Sequence, residues 1–466
     1  MAWAASGCSA GPPGSAGRPA DRGAASRPLE GALVAGCRAV VRGALCEVDE
    51  GAVLRVWSPA AVTRWATTSG APAAGEAPLA VPEGERVGDG VLYRVALPAG
   101  ARGLRLAAGG PEGERSARVE LAPAPAPPAA LTRARSQRAE GELGAAAATL
   151  REAIAAGAGA GARAGTGAGA AGAGAGGEGP FLLSALGRVE LARGEWQSAE
   201  EVLAQASAGH EAAGRGSAAA DDEVVRAFSL RARHQFVEAR AALGRVVALS
   251  AGYPEGVAEA TFHRGLIAWE AGDARAALRE TADAQAQFER VGLARPASLV
   301  TQQRVQFLTE LGRGEESIGV LQGLAAKPAE DELPCDRADL AINLSSAAAT
   351  LAQVASELGR APPLDPVPLA ERARAEVARL CPEPRRLAYA LTGASLAALY
   401  ARDAAGAREA LRGARAALPD PGTALALEWL GIEARAALVA GDAAGALALA
   451  ARLGAEAAAA GEARER

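Results

Sequence analysis

One stretch decides the fold: Leu186-Gly187-Arg188-Val189-Glu190-Leu191-Ala192-Arg193-Gly194-Glu195-Trp196-Gln197-Ser198-Ala199-Glu200-Glu201-Val202-Leu203-Ala204-Gln205-Ala206. Ala199, Leu203 and Ala206 are four and seven positions apart and share one face of a helix. Gly194 breaks the chain before that helix with a backbone conformation other residues resist. Glu195 follows it, and acidic residues favour a helix N-terminus. The same arrangement recurs: Gly141-Glu142 before Ala146, Leu150 and Ala153; Gly272-Asp273 before Ala277, Thr281 and Ala284; Gly441-Asp442 before Ala446, Ala450 and Leu453. It recurs with other residues at the turn in His234-Gln235 before Ala239, Gly312-Arg313 before Ser317, and Arg402-Asp403 before Ala407. Ala199, Ala239, Ala277 and Ser317 step by 40, 38 and 40, and Ala370, Ala407 and Ala446 by 37 and 39, with Ala370 the least regular copy. A supersecondary unit repeated at a fixed period predicts antiparallel helix pairs stacked into an α-solenoid, the chain being mainly α. The small residue on each second helix lets its partner approach closely.

Composition agrees. The 466 residues include 57 Gly but only 6 Trp, 4 Tyr and 6 Phe, so the core is built of small side chains. Lys327 is the one lysine and Asn343 the one asparagine, a bias expected of a GC-rich bacterial genome. A formal net charge of −5 argues against a nucleic-acid-binding surface. No apolar run is long enough to span a membrane. Three His and five Cys, with no zinc-type Cys spacing, predict no metal and no cofactor.

Composition divides the chain. Residues 1–28 read as a disordered tether. Residues 29–122 alternate and are interrupted by Gly and Pro; strand-like runs at Arg38–Arg42, Val53–Trp57, Thr63–Thr68, Val91–Leu97, Gly103–Ala107 and Ala117–Leu121 predict a small antiparallel β-sandwich. In it Leu92, Arg94 and Ala96 alternate against Tyr93, Val95 and Leu97, a period of two that suits a sheet with one wet face. Residues 123–130 form a Pro/Ala linker. Residues 131–460 are the solenoid, with a Gly/Ala-rich loop at 157–179 where alternate glycines disfavour a helix, and 461–466 are a tail.

The helical pattern resembles the tetratricopeptide repeat (TPR). Leu186-Gly187, Gly194, Trp196, Ala199 and Leu203 follow that motif, as do Gly265, Gly272, Ala277 and Ala284, and Pro419 matches its terminal proline. The period near 38–40 exceeds the family's ~34. The resemblance implies a groove lined by first helices: Phe181–Arg193, Val224–Arg233, Val257–Ala271, Ala297–Leu311, Leu387–Ala401 and Ala424–Ala440. It also implies a protein or peptide partner. A narrower resemblance joins a Cys-bearing β module, a linker, divergent repeats and the Cys381-Pro382-Glu383-Pro384 turn to bacterial proteins that end in a caspase-like CHAT domain. In those proteins the repeats sense or scaffold, and the catalytic domain holds a His–Cys dyad. His210, His234 and His263 all precede the last repeats and no His follows Cys381, so no dyad carries over.

The cysteines set further expectations. Cys37 and Cys46 bracket Gly43 and would form a disulfide across a hairpin in an oxidising compartment; two small buried side chains are the alternative. Cys335 and Cys381 lie in turns beginning adjacent helices and would staple two repeats, or stand as two buried thiols. Cys8, after Ala5-Ser6-Gly7, resembles a lipoprotein lipidation site, although its apolar lead is short for a signal peptide. Lipidation would place the chain at the bacterial envelope; without it the chain is cytoplasmic. No clustered nucleophile and base is legible, so the expected function is a non-enzymatic interaction scaffold or sensor, with the regulatory part of a CHAT-type protease as the alternative.

Overall fold

The computed structural model describes residues 27–28, 33–35, 39–41, 45–48, 52–59, 61–69, 77–80, 82–87, 89–99, 101–110, 113–123, 127–163, 178–250, 253–326, 333–419, 421 and 423–465. Cys8 and Cys37 lie outside them, as do most of the expected tether and the middle of the Gly/Ala-rich loop.

The helices come in pairs. They are α1 Ala129–Ala139 and α2 Leu143–Arg163; α3 Gly179–Ala192 and α4 Trp196–Ala212; α5 Gly216–Ala232 and α6 Phe236–Leu249; α7 Pro254–Glu270 and α8 Ala274–Arg290. Then follow α9 Ala294–Glu310 and α10 Gly314–Ala326; α11 Pro334–Glu357 and α12 Pro366–Leu380; α13 Pro384–Tyr400 and α14 Ala404–Ala417; α15 Thr423–Val439 and α16 Ala443–Glu465. Each helix packs on the next, and α5 also packs on α7, α11 on α13 and α13 on α15.

Left-handed residues make the tight turns. Gly141, Gly194, Gly272, Gly312 and Gly441 all have positive φ, between 74° and 84°. At the α3–α4 turn the Gly194 N–H donates to the Leu191 carbonyl and the Glu195 N–H to the Glu190 carbonyl, both at 3.0 Å. These two bonds form a Schellman motif and satisfy carbonyls that the ending helix leaves free. His234 and Arg402 adopt φ of 58° and 57° at equivalent turns. Their side chains carry a Cβ into a conformation that costs about 1–2 kcal/mol for residues other than glycine. The residue after the turn matters by its length. Asp273, Asp403 and Asp442 cap the next helix by accepting from the N–H groups of Ala276, Gly406 and Gly445. Glu195 makes no side-chain cap.

Small residues let the pairs close. Ala199, Ala239, Ala277, Ser317, Ala370, Ala407 and Ala414 are all buried. A Cβ added to Gly187 would lie 2.5 Å from Leu203 Cγ, so α3 and α4 approach through that glycine.

Several boundaries differ from expectation. Helix α2 runs on through Gly157 to Arg163, because a helix already begun adds a residue at much lower cost than one that must nucleate. α16 continues to Glu465, into the expected tail. α5 begins at Gly216, eight residues before the expected Val224. Its first turns carry Asp221, Asp222 and Glu223, which offer no apolar period. α11 and α12 are the pair built around the least regular copy, at Ala370.

The N-terminal region holds two small sheets. One contains β3 (Ala39–Val41), β4 (Leu45–Val48), β11 (Gly113–Pro123), β10 (Ala101–Gly110), β6 (Arg64–Ser69) and β7 (Ala77–Leu79) in that order, with β1 (Arg27–Pro28) also beside β11. The other has the order β2 (Leu33–Ala35), β5 (Val53–Ser58), β9 (Gly90–Ala96) and β8 (Gly84–Val87). Pairing is antiparallel except that β1 and β4 run parallel to β11. Leu54, Val56, Tyr93 and Val95 of the smaller sheet share one core with Trp65, Leu104, Leu106 and Leu121 of the larger. The Tyr93 hydroxyl accepts from the Val62 N–H at 2.8 Å, tying the two together. Arg94 and Ala96 face water, but Leu92, on the same side of the strand, is only 4% exposed. Its cover comes from the helical array: Leu92 lies against Gly292 in the α8–α9 turn.

Candidate functional site

Successive first helices lie side by side, and polar pairs bridge them. Between α3 and α5, Arg188 Nη1 is 2.9 Å from Asp222 Oδ1. Between α5 and α7, the Tyr253 hydroxyl, at the N-cap of α7, donates to Asp221 Oδ1 at 2.9 Å, and Arg231 pairs with Glu270. Between α9 and α11, Arg295 pairs with Asp336 at 2.5 Å and Asn343 donates to Gln302 at 2.8 Å. Between α11 and α13, Arg386 pairs with Asp339 at 2.7 Å. Between α13 and α15, the buried Trp429 donates its indole N–H to Thr392 at 2.8 Å. These pairs tie α3 to α5, α5 to α7, α9 to α11, α11 to α13 and α13 to α15.

The densest polar cluster joins α3, α4, α5 and α7. Ser184 donates to Asp222 Oδ2 at 2.7 Å and lies 3.2 Å from His210 Nε2. His210 is 1% exposed, and its Nδ1 has no partner among the described residues. Burial, with Arg215 and Arg188 adding to it, lowers the His210 pKa to about 4, so the ring is neutral. Burial raises Asp222 to about 6, against the pull of Arg188. Burial raises Glu259 on α7 to about 7, with the Asp221 charge adding to it. Asp221 is raised by burial too. Burial and Asp221 together push the Tyr253 hydroxyl well above its ordinary range.

Ser, His and Asp side by side invite comparison with a hydrolase, but the hydrogen bonding differs. A triad needs the carboxylate on His Nδ1 and the serine proton directed to Nε2. Here the serine proton goes to the carboxylate, and Asp222 Oδ2 lies 3.9 Å from Nε2 rather than bonding Nδ1. Ser184 is therefore held as a bridge, not activated as a nucleophile. This cluster was not legible in the sequence: Ser184 and Asp222 are 38 positions apart and match no catalytic motif.

Other singled-out residues fall elsewhere. His234 sits in its turn, edge-on to Phe236. His263 on α7 is lowered to about 4 by burial, with Arg231 adding to it. Trp269 stacks on Phe307 at 4.3 Å. Trp196 is 36% exposed beside Phe228 rather than wholly packed. Glu280 reaches across to Arg264 at 3.1 Å. Cys335 and Cys381 are joined by a disulfide with Cα atoms 5.0 Å apart, tying the start of α11 to the end of α12. Cys46 is buried and disulfide-bonded. A small open cleft of about 30 Å³ is lined by Leu324, Leu340, Leu344, Leu369, Arg337 and Arg372. Among the described residues no group of three or more His, Cys, Asp or Glu could hold a metal ion. No described helix is long and apolar enough to cross a membrane.

No protein-family model matches the chain, and no curated protein sequence does either. Among solved structures it is similar to an aspartyl phosphate phosphatase F from Bacillus subtilis, at 12% identity over 59% of this chain and 70% of that one, with a TM-score of 0.47. It is similar to a Rap protein complexed with competence and sporulation factor, at 14% identity over 61% and 77%, with a TM-score of 0.46. A tetratricopeptide repeat protein from Parabacteroides merdae aligns at 16% identity over 65% and 97%, with a TM-score of 0.40.

Proposed function

We propose that the chain is a non-enzymatic scaffold or sensor whose TPR-like helical array binds a peptide or protein partner along its first helices, with the N-terminal sheets forming a small β-sandwich. The observation that carries this reading is the row of bridged first helices. Half-exposed polar side chains such as Asn343 and Asp339 on α11 and Arg386 on α13 stand on neighbouring rods there, held in register by their own partners. A fixed polar surface of this kind recognises another chain with little loss of side-chain freedom on binding. The Ser184–His210–Asp222 geometry supports the non-enzymatic side of the proposal, since its serine proton is committed to a carboxylate.

The test is affinity capture with the full chain, followed by calorimetry with the purified partner. Asn343→Arg on a first helix should weaken binding tenfold or more, a loss of about 1.4 kcal/mol. Val237→Arg on second helix α6, where Val237 is 77% exposed, should leave it unchanged. Loss of binding in Val237→Arg alone would overturn the proposal.

A further inference from the structure

The smaller sheet has a second face. Strand residues alternate sides, and Leu54, Val56, Tyr93 and Val95 point into the β core. Arg55, Trp57 and Leu92 therefore point away from it, with Trp57 opposite Leu92 in the register and Ala35 opposite Arg55. An outer face of a two-layered module should be wet. At the far end of β5 it is: Val53 is 48% exposed. Ala35, Trp57 and Leu92 are instead 1%, 5% and 4% exposed.

What covers them is the helical array. Leu92 presses on the α8–α9 turn so closely that a Cβ on Gly292 would meet it at 2.4 Å. The guanidinium of Arg290, at the end of α8, stands 5.4 Å from the Trp57 ring centre, a cation–π contact. Strand β2 lies beside α7 and β3 beside α5. Both are first helices, the ones whose faces the scaffold reading assigns to a partner. The two parts nevertheless keep separate cores. Among the described residues, the buried apolar clusters of the array are built from helical residues, and that of the module from its own strands. The contact is a seam between two self-contained units.

We propose that the β module is a displaceable occupant of the helical array. It is seated by the outer face of its four-stranded sheet on α7 and the α8–α9 turn, with β3 of the larger sheet beside α5, and it closes that sector to outside partners until released. The scaffold reading enters only in what the covered sector would otherwise bind; the seating is tested without any partner.

The experiment places a specific protease site between Pro123 and Pro127 of the full chain and cuts the folded protein. The halves should co-elute on gel filtration at micromolar concentration and separate on dilution. Leu92→Glu, which would bury a carboxylate against the turn, should weaken their association by roughly tenfold or more. Arg290→Ala should weaken it about threefold, as for loss of one cation–π contact. Circular dichroism of each half checks that both remain folded, and Arg290→Ala, an exposed position, keeps the test independent of any folding defect in the sheet variant. Folded wild-type halves that separate at every concentration would overturn the seating. Halves that stay together regardless of dilution and of both substitutions would overturn its displaceability and its assigned contacts.

Discussion

Helices α3 to α10 and the segment α11 to α13 solve the same stacking problem by different chemistry. In the first sector three-residue turns recur with a left-handed residue and a Schellman pair of hydrogen bonds, so the backbone itself sets the angle between helices. In the second, α11 extends over 24 residues, and the α12–α13 turn at Cys381 to Glu383 contains no left-handed residue. Left-handed Gly359 still ends α11 with a Schellman pair, and side chains add to it. The Cys335–Cys381 disulfide closes α11 on α12, and Arg295–Asp336 and Arg386–Asp339 anchor α11 to α9 and α13. Here cross-links between side chains add to the turns that remain.

Removing those cross-links should do the most damage. Replacing Cys335 and Cys381 with serine frees a loop of 46 residues and should lower stability by about 4 kcal/mol at most. Urea unfolding should show an early transition confined to the C-terminal sector. A single unchanged transition would mean that the staple adds nothing to the packing around it.

In the regular sector the corresponding weak point is Asp222. Asp222→Ala strands Arg188 without its anion and leaves Ser184 without its acceptor, and should cost about 2–3 kcal/mol, less than for a wholly buried pair because Arg188 is 31% exposed. Asp222→Asn should recover part of the loss. Equal losses for Ala and Asn would show that charge, rather than the serine hydrogen bond, carries the effect.

Glu259 makes the regular sector sensitive to pH. Its folded pKa of about 7 lies above the ordinary value of 4.5. Between those values the folded state holds more proton than the unfolded state, so this group's contribution is present below about 4.5 and is lost as pH rises through 7. His210 and His263, lowered to about 4, act in the opposite direction as pH falls below 6.5. Glu259→Gln should therefore gain stability relative to wild type as pH rises from 4.5 to 7, with the difference level above that. A pH-independent difference would contradict the assignment. The smallest effect belongs to Arg402→Gly, which relieves a positive φ at one turn and should add about 1 kcal/mol by thermal melting.

Legibility in the sequence followed the same division. The spacing of Ala199, Leu203 and Ala206 and its copies revealed the helix pairs, because close packing restricts those positions to small and apolar residues. His234 and Arg402 could be placed at turns only because they stood in register with glycines. The start of α5 was hidden by three acids, of which Asp222 and Asp221 find their partners, Arg188 and Tyr253, in other repeats. The Ser184–His210–Asp222 cluster was illegible for the same reason: each member is unremarkable on its own helix, and only stacking brings them together. The burial of Leu92 could not be read at all, since its partner is a glycine in the helical array.

The central claim is that close helix approach through small residues builds the array, and paired glycine substitutions test it most directly. Gly187 faces Leu203 across α3 and α4, where an added Cβ would lie 2.5 Å from Leu203 Cγ, whereas a Cβ on Gly244 in α6 would meet nothing within 4 Å. Gly244→Ala should raise the melting temperature, by the helix preference of alanine worth about 1 kcal/mol, and Gly187→Ala should lower it despite the same preference. If both substitutions stabilise the protein alike, the helices are not held together by that contact and the account fails.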